Sequence, residues 1–390
     1  MFLNKDIVVS RSVRIVGAAF GDPLQEIVFS GVSKYLFAAL DKKGVMLGYL
    51  STRQLRPWDV FSHVLDFSKT FSFGRPGISA SWMWRRSTID KLTARAVKKL
   101  ESFSDFDAFL QVGTHAIINS ERFKHYCFTD MTIAQVVSSP TAKDFAAGKL
   151  DKSQHAEAIE VQRIIFESCE AIFVNSNWTK DSIVDDYNIE PDKVNVVGVG
   201  VSLPLQPLPK RKKESHNIVF IGRNWDHKGG PMLVEALSLV RKKFKDATLT
   251  VIGCNPRIND ENVRVLGALD KRIASDMETI ERALADAAVL CVPSIFEAYG
   301  ICFLEAQLHG IVPITFTGEG RGDAIKDGET GILLEERTAQ ALSEAIIDLL
   351  SNPEKARKMG QAGHEYVINN LTWDHVAERV LTVIESQCAG

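Results

Sequence analysis

The sequence has little of several features that define whole classes of protein. Its six cysteines are scattered and form no CxxC pair, which argues against a zinc site or a disulfide scaffold. No apolar run approaches the ~18 residues of a membrane span, and a net charge of −3 is too small to indicate a nucleic-acid partner. Charges interrupt the N-terminal stretch, so we expect no signal peptide and a cytoplasmic protein with reduced thiols.

The general phosphate-binding fingerprints are missing as well. Neither GxxxxGK[ST] nor GxGxxG occurs, so the chain does not resemble a P-loop or dinucleotide-binding protein. The pattern that does recur is a short apolar strand, a loop and an amphipathic helix. Short apolar strands that alternate with helices predict parallel sheets covered on both faces, which is an α/β fold.

A change in composition divides this pattern into two parts. The segment "SLPLQPLPKRKKESHN" contains three prolines and a basic run, which is typical of a linker. We therefore predict two doubly wound domains, residues 1–203 and 204–372, followed by one more amphipathic helix. Ligands of open α/β sheets bind beyond the carboxyl ends of the strands, so the site is expected in a cleft between the domains. The linker further predicts that the domains close over a ligand.

Two acids stand in the apolar stretch "SIFEAYGICFLEAQLHG", residues 294–310. A buried strand ends just before it, and a helix is predicted to start near Ile301. Free amides at a helix start bind phosphate, whereas carboxylates such as Glu297 and Glu305 accept hydrogen bonds from sugar hydroxyls. The stretch thus predicts a nucleotide-sugar site. The alternative is that Glu297 only stabilises the helix dipole and Glu305 lies on the surface.

A second stretch, "FIGRNWDHKGG", places two cations in a strand-to-helix loop. Arg223 follows a buried strand, and Lys228 precedes the glycine pair that opens the next helix. A guanidinium fork and a lysine point charge suit a diphosphate. The alternative is an ordinary basic loop.

These two stretches, with "VRVLGAL", "DGETGILL" and "TWDHVA", closely resemble the C-terminal domain of family 4 retaining glycosyltransferases with the GT-B fold, over roughly residues 217–378. The Glu-x7-Glu pair is that family's signature. The resemblance implies two Rossmann-like domains facing a cleft, with a last helix, about 373–390, that crosses back to the N-terminal domain. The implied activity is retaining transfer of a hexose-type sugar from a nucleotide diphosphate sugar to an acceptor hydroxyl.

The acceptor implied in this way is a glycan, a lipid-linked molecule or a small molecule, in cell-envelope, exopolysaccharide or glycoconjugate biosynthesis. No cofactor and no metal are implied, because cations stand where a metal would otherwise screen the diphosphate. The resemblance implies donor contacts of three kinds: to the diphosphate from Arg223, Lys228, Gly300 and Ile301; to the sugar from Glu297, Ala298, Tyr299 and Gly300; and to the ribose and base from Glu305, Leu266 and Ala268.

The N-terminal domain resembles the family less closely. "FSGVSKYLFAAL" is similar to its N-terminal glycine loop, with Gly31 as the glycine. Relatives often carry a histidine near the transferred sugar, and here Asp130 stands at the matching place after "HYCFT". Asp130 and Glu297 are therefore the candidate catalytic residues. Asp130 alternatively caps the helix that follows it, and His115 is the substitute candidate, although a lone histidine near a strand end is more often structural.

Tryptophans and cations lie together in "SWMWRRSTIDKLTARAVKKL". Trp82 and Trp84 beside a basic helix suit peripheral contact with a membrane or an anionic lipid-linked acceptor. The alternative is a solvated amphipathic helix whose tryptophans anchor it to the core. For the whole chain two rival functions stay open, a GT-B sugar-nucleotide epimerase and an inactive GT-B binding protein.

Overall fold

The structure is a computed structural model that describes residues 13–25, 28–52, 85–141, 152–208 and 215–388. It contains two six-stranded sheets, each flanked by helices, and every pairing between neighbouring strands is parallel. The predicted α/β fold with two doubly wound domains is confirmed. Trp82, Trp84 and the basic run 210–213 lie outside the described residues.

The N-terminal domain contains the first six strands and the first five α-helices that the structure describes. The strands are β1 (Ile15–Ala19), β2 (Met46–Ser51), β3 (Ala108–Val112), β4 (Lys124–Thr129), β5 (Ala171–Val174) and β6 (Val194–Val196). The helices are α1 (Val32–Lys42), α2 (Arg86–Leu100), α3 (Ile133–Ser138), α4 (Lys152–Ser168) and α5 (Asn177–Asp185).

The C-terminal sheet is built in the same way. Its strands are β7 (Asn217–Ile221), β8 (Thr248–Ile252), β9 (Val263–Gly267), β10 (Ala287–Cys291), β11 (Val312–Phe316) and β12 (Ile332–Leu334). The helices are α6 (Gly230–Val240), α7 (Ala274–Ala285), α8 (Ile301–Leu308), α9 (Arg321–Ala324), α10 (Ala339–Ser351), α11 (Pro353–Asn370) and α12 (Trp373–Cys388).

The strand orders are β2-β1-β3-β4-β5-β6 and β12-β11-β10-β7-β8-β9. Central strands such as β1, β3, β10 and β11 are buried along their whole length, whereas the edge strands β2, β9 and β12 are partly exposed. Helices on both faces of a parallel sheet explain why the central strands are continuous apolar runs. In the C-terminal sheet the chain reverses its direction of growth between β7 and β10, which is where such sheets bind ligands.

The last helix, α12, crosses back to the N-terminal domain, as the resemblance implied. Trp373 at its start stacks on Tyr35 of α1, with ring centroids 5.8 Å apart. The linker lies beside this crossing, since Val201 N donates to Leu371 O at 2.9 Å. A side chain at Gly200 would come within 2.5 Å of Trp373, so the close approach needs glycine. Among the described residues, no helix is long and apolar enough to cross a membrane.

Candidate active site

The candidate site of the C-terminal domain is formed by loops at the carboxyl ends of β7 and β10. Ile295 N donates to His227 O at 2.9 Å, which joins the loop after β7 to the loop after β10. Gly229 has φ +75°, and a Cβ there would lie 2.1 Å from the Pro293 carbonyl oxygen. Only glycine permits this approach, so "KGG" sets the position of Lys228 against the 294–300 loop.

Lys228 and Glu297 form an ion pair across these two loops. The Glu297 carboxylate also accepts a hydrogen bond from Ser294 Oγ at 3.2 Å. Burial acts to lower the pKa of Lys228, but the charge and hydrogen bond of Glu297, together with nearby Cys302, raise the pKa above its ordinary value. The lysine is therefore a fixed cation, and the structure brings together two residues 69 positions apart that were predicted to meet one donor.

The helix α8 begins directly after this pair. Gly300 is its N-cap with φ +95°, and no side chain caps the helix. Glu297 thus does not serve as a hydrogen-bonding cap, and the amides of Ile301 and Cys302 at the start of α8 keep their donors for a ligand, whereas Phe303 N donates to Gly300 O at 2.9 Å. A side chain at Gly300 would meet Phe303 at 2.3 Å, so the tight turn needs glycine.

Glu305, the second acid, is buried inside α8, with only 3% of its surface exposed. It pairs with Lys271, which precedes α7 and lies 34 residues earlier. The surface alternative for Glu305 is wrong. Sequence reasoning missed Lys271, because it placed the residue inside a helix, and only its position one loop after β9 could have pointed to this edge of the sheet.

Three further residues predicted to contact the donor, Arg223, Leu266 and Ala268, are exposed or partly exposed. Arg223 is exposed, and its guanidinium has no hydrogen-bond or ion-pair partner among the described residues. Leu266 is the last residue but one of the partly exposed strand β9, and Ala268 just beyond the strand is exposed. All three lie at the carboxyl end of the same sheet as Glu305, in the region where a nucleotide would be expected.

The side chain of Tyr299 points away from the candidate site, which leaves only its backbone for contact with a ligand. The side chain is 3% exposed and points towards the linker, where its hydroxyl would lie 3.8 Å from a Cβ at Gly198. Burial raises the pKa of this phenol well above its usual range. The aromatic ring therefore anchors the loop on the linker, and any contact of Tyr299 with a ligand has to come from its amide.

Asp130 follows β4 at the carboxyl end of the N-terminal sheet. It is not the cap of α3, because Thr132 and Gln135 form a capping box there, with Gln135 N donating to Thr132 Oγ1 at 3.1 Å. Burial raises the pKa of Asp130 to about 6, and hydrogen bonds from its own amide and that of Met131 act against this rise. The capping alternative is wrong, and the carboxyl titrates near neutral pH.

His115 and Gly31 lie at the same end of the N-terminal sheet. The His115 ring stacks on Phe20 at 5.2 Å and is buried, which lowers its pKa to about 3. It is therefore neutral at physiological pH. Gly31 is the N-cap of α1 with φ +86°, consistent with a glycine-dependent turn between β1 and α1.

The two halves of the site meet through the 294–300 loop. Phe296 is 1% exposed and packs against the N-terminal domain, with its ring 5.8 Å from that of Trp178. Met131, next to Asp130, and Phe296, next to Glu297, belong to one hydrophobic cluster. Both candidate catalytic acids therefore flank the same interdomain contact.

A polar contact reinforces this arrangement. The Asp323 carboxylate accepts hydrogen bonds from Asn177 N at 3.1 Å and Asn177 Nδ2 at 2.6 Å. Asn177 is the first residue of α5 in the N-terminal domain, and Asp323 belongs to α9 in the C-terminal domain. Burial raises the pKa of Asp323, while the two donors from Asn177 oppose the rise.

Residues 206–366 match the model of a family described as glycosyl transferases group 1. An alpha-maltose-1-phosphate synthase of Mycolicibacterium smegmatis is 26% identical over 250 residues, which are 57% of this chain and 65% of that protein. A GDP-mannose-dependent alpha-(1-6)-phosphatidylinositol monomannoside mannosyltransferase of Mycobacterium tuberculosis is 29% identical over 46% of this chain and 50% of its own. The matches thus span less than two thirds of these relatives.

Solved structures match over nearly the whole chain. Sucrose-phosphate synthase from Thermosynechococcus elongatus has a TM-score of 0.67 at 16% identity, covering 96% of this chain and 99% of that one. Anabaena HepE in complex with UDP and glucose has a TM-score of 0.62 at 12% identity, covering 96% and 100%. At this identity the likeness shows the fold alone. The likeness confirms the GT-B fold, and the family match over residues 206–366 supports the resemblance of the C-terminal domain to group 1 glycosyl transferases.

Proposed function

We propose that the chain is a retaining glycosyltransferase that moves a hexose-type sugar from a nucleotide diphosphate sugar to an acceptor hydroxyl. One observation carries the proposal: the half-buried Glu297 before the uncapped start of α8 and the buried Glu305 one turn inside it each pair with a lysine. Such a place offers donors for phosphate and acceptors for hydroxyls within a single turn. The relatives with matching sequences are named as enzymes acting on sugars or sugar phosphates.

The ion pairs suggest how the donor is held. Lys228 would turn from Glu297 to the diphosphate, and the released carboxylate would accept hydrogen bonds from the sugar hydroxyls. Glu305 would accept from the ribose hydroxyls while Lys271 keeps its charge compensated. Arg223 would add a second cation at the diphosphate, so that negative charge on the leaving group is stabilised where it develops. These cations would make a metal unnecessary.

The N-terminal domain would supply the acceptor side. The incoming hydroxyl would attack the anomeric carbon on the face that the nucleotide leaves, and the leaving phosphate would take the hydroxyl proton. No enzymic nucleophile is needed in this scheme. Asp130 would hydrogen-bond a sugar hydroxyl or, when ionised, support positive charge on the sugar ring. A pKa of about 6 lets it exist in both forms near neutral pH.

Closure of the two domains belongs to the same proposal. The domains already touch through Phe296 and Trp178, and Val201, just before the linker, donates to Leu371, just before α12. Binding a donor in the cleft would tighten this contact and exclude water. Small-angle scattering should then show a smaller radius of gyration with donor than without it, and an unchanged radius would contradict closure.

A peripheral membrane contact through α2 is proposed separately, for a cytoplasmic protein that uses a lipid-linked acceptor in cell-envelope or exopolysaccharide synthesis. Ile89 and Leu92 face the core, while Lys91 and Lys98 are exposed on the same helix. Exposed lysines attract an anionic surface. Liposome flotation should show binding with anionic lipid and none with neutral lipid, and no binding to either would contradict the contact.

The donor is tested first, by thermal shift against UDP, GDP, ADP and dTDP sugars. A bound donor raises the melting temperature by mass action, and we expect one base to dominate. Turnover with that donor and a panel of hydroxyl acceptors then tests transfer, and proton NMR of the product's anomeric centre tests retention. A free epimerised sugar without acceptor would indicate the epimerase, and donor binding without turnover would indicate an inactive binding protein.

A further inference from the structure

Arg321 is a buried cation that the mechanism above does not use. Its side chain has no exposure to solvent. Its Nη1 donates to the carbonyl oxygens of Phe316 at 3.3 Å and Thr317 at 3.1 Å. Burying a charge costs several kcal/mol unless it is paired. A leucine would fill similar space at no such cost, so the presence of a guanidinium indicates a role for its donors.

Two guanidinium groups converge on a single backbone carbonyl, that of Ser294. Arg321 Nη2 and Arg337 Nη1 each donate to Ser294 O at 3.0 Å. Arg337 is also 3.4 Å from the carbonyl oxygens of Ile295 and Thr317. Hydrogen bonds from charged donors are about twice as strong as neutral ones, so the 294–300 loop is held at its first residue by two strong bonds.

Glu319 supplies a negative charge beside Arg321 and Arg337. Its Oε2 lies 2.6 Å from Arg321 Nη1 as an ion pair. The residue has φ +44°, a conformation that costs a non-glycine residue roughly 1 kcal/mol or more. Burial raises the pKa of Glu319, and the charges of Arg321 and Arg337 oppose this rise. A strained acid beside a buried arginine indicates a contact that the surrounding fold maintains for a purpose.

Ser294, whose carbonyl oxygen the two arginines bind, also contacts Glu297, the acid proposed to bind the sugar. Ser294 N donates to Val292 O at 2.8 Å, which makes the turn tight, and Ser294 Oγ donates to Glu297. The far end of the loop is also in contact with the segment after β11, since a Cβ at Gly320 would lie 2.0 Å from Ala298 O. The 317–321 segment therefore supports the 294–300 loop on both sides of Glu297.

We propose that Arg321, paired with Glu319, and Arg337 are positioning residues that hold Ser294 and thereby fix the Glu297 carboxylate for the donor sugar. The identity of the ligand rests on the proposed function, but the rigidity of the loop does not. Because Glu297 is assigned to the sugar and not to the nucleotide, loss of this support should weaken recognition of the sugar and leave nucleotide binding in place.

The deciding variant is Arg337→Met, because Arg337 lies at the surface and its loss should leave the fold intact. Arg357→Met, an exposed arginine of α11 that pairs with Glu354, is the matched control. We expect Arg337→Met to bind UDP, GDP, ADP or dTDP, whichever the wild type binds, within about twofold of wild type. Its kcat/KM for the corresponding nucleotide sugar should fall about tenfold, equivalent to one strong hydrogen bond, and Arg337→Lys should restore part of this loss.

A second measurement does not depend on catalysis. Amide hydrogen exchange of residues 294–300 without ligand should be faster in Arg337→Met, and in Arg321→Lys if that variant folds, than in wild type and Arg357→Met. Unchanged exchange together with unchanged kcat/KM would overturn the inference. A wild-type chain that binds none of the four nucleotides would contradict the proposed function instead, and the exchange comparison would still decide the role of the arginines.

Discussion

The acids of the two domains are held in opposite ways. In the C-terminal domain Glu297 and Glu305 are each paired with a lysine before any ligand arrives. In the N-terminal domain the Asp130 carboxyl has no ion-pair partner among the described residues, and burial raises its pKa to about 6. Paired charges suit the binding of a charged donor, whereas an acid that titrates near neutral pH suits a reacting centre.

The largest expected effect is a loss of stability on breaking the contact between the two domains, and it tests whether they are independent. Phe296 belongs to the C-terminal domain but is buried against Trp178 of the N-terminal domain. Replacing it by alanine should lower the free energy of unfolding by roughly 3–5 kcal/mol, as for other buried phenylalanines. Thermal unfolding checks this change. Phe296→Leu, which retains most of the apolar volume, is the control. A loss below about 1 kcal/mol in Phe296→Ala would mean that the domains do not share this contact.

The second largest effect is expected from breaking the ion pair between Lys228 and Glu297. Lys228→Ala removes the partner of Glu297 and one cation of the diphosphate site, so turnover should fall by about 10² to 10³-fold. Glu297→Gln should lower turnover similarly while nucleotide binding persists. Steady-state kinetics with the donor found by thermal shift provides the measurement. Lys242→Ala, an exposed lysine beyond α6, should behave as wild type. Transfer at the wild-type rate in Lys228→Ala would reject the site.

Asp130 allows the N-terminal domain to be tested through the pH dependence of stability. Its folded-state pKa of about 6 exceeds the ordinary 3.8, so the protonated form stabilises the fold and this contribution is lost as pH rises through 6. Asp130→Asn, which cannot ionise, should therefore be more stable than wild type at pH 8 by up to roughly 3 kcal/mol.

The difference between Asp130→Asn and wild type should vanish below about pH 4, where both side chains are neutral. Melting temperatures from pH 4 to 8 measure it, with Asp90→Asn on the exposed face of α2 as the control. A pH-independent difference would show that Asp130 does not titrate as described. If Asp130 also takes part in transfer, kcat of the wild type should change near pH 6 and that of Asp130→Asn should not.

The smallest effect concerns Arg223. Because this arginine is exposed, Arg223→Ala should leave the melting temperature unchanged within the range of ordinary surface substitutions. Affinity for the nucleoside diphosphate should fall about tenfold, and this loss should shrink at high salt. Isothermal titration at two salt concentrations gives both numbers. Equal affinities at low salt would remove Arg223 from the diphosphate site.

Much of the fold followed from local patterns. The alternation of apolar strands with amphipathic helices predicted two parallel sheets, because that arrangement buries both faces of each strand. The long C-terminal helix α11, Pro353–Asn370, also begins at a local signal, because proline is favoured in the first turn of a helix. Only Val194–Val196 of the apolar segment that follows α5 pairs with β5, and Gly198 beyond it has φ +73°.

The candidate site also has parts that the sequence predicts and parts that only the structure shows. Glu297, Gly300 and Glu305 lie within one strand-to-helix unit, so their spacing along the chain sets their positions in space. Lys271 joins Glu305 from a different loop, and the sequence contains no local signal for that pairing. The sequence likewise contains no signal that Thr132, and not Asp130, caps α3.

The sequence by itself determined the fold class and predicted the place of the candidate site and its two acids, because periodicity, glycine turns and motif spacing act over a few residues. The tertiary structure alone decided which charges meet: Lys271 with Glu305, Arg321 and Arg337 with Ser294, and Phe296 with the opposite domain. These partners are tens to more than a hundred residues apart, and only the packing of the parallel strands and of the two domains brings them together.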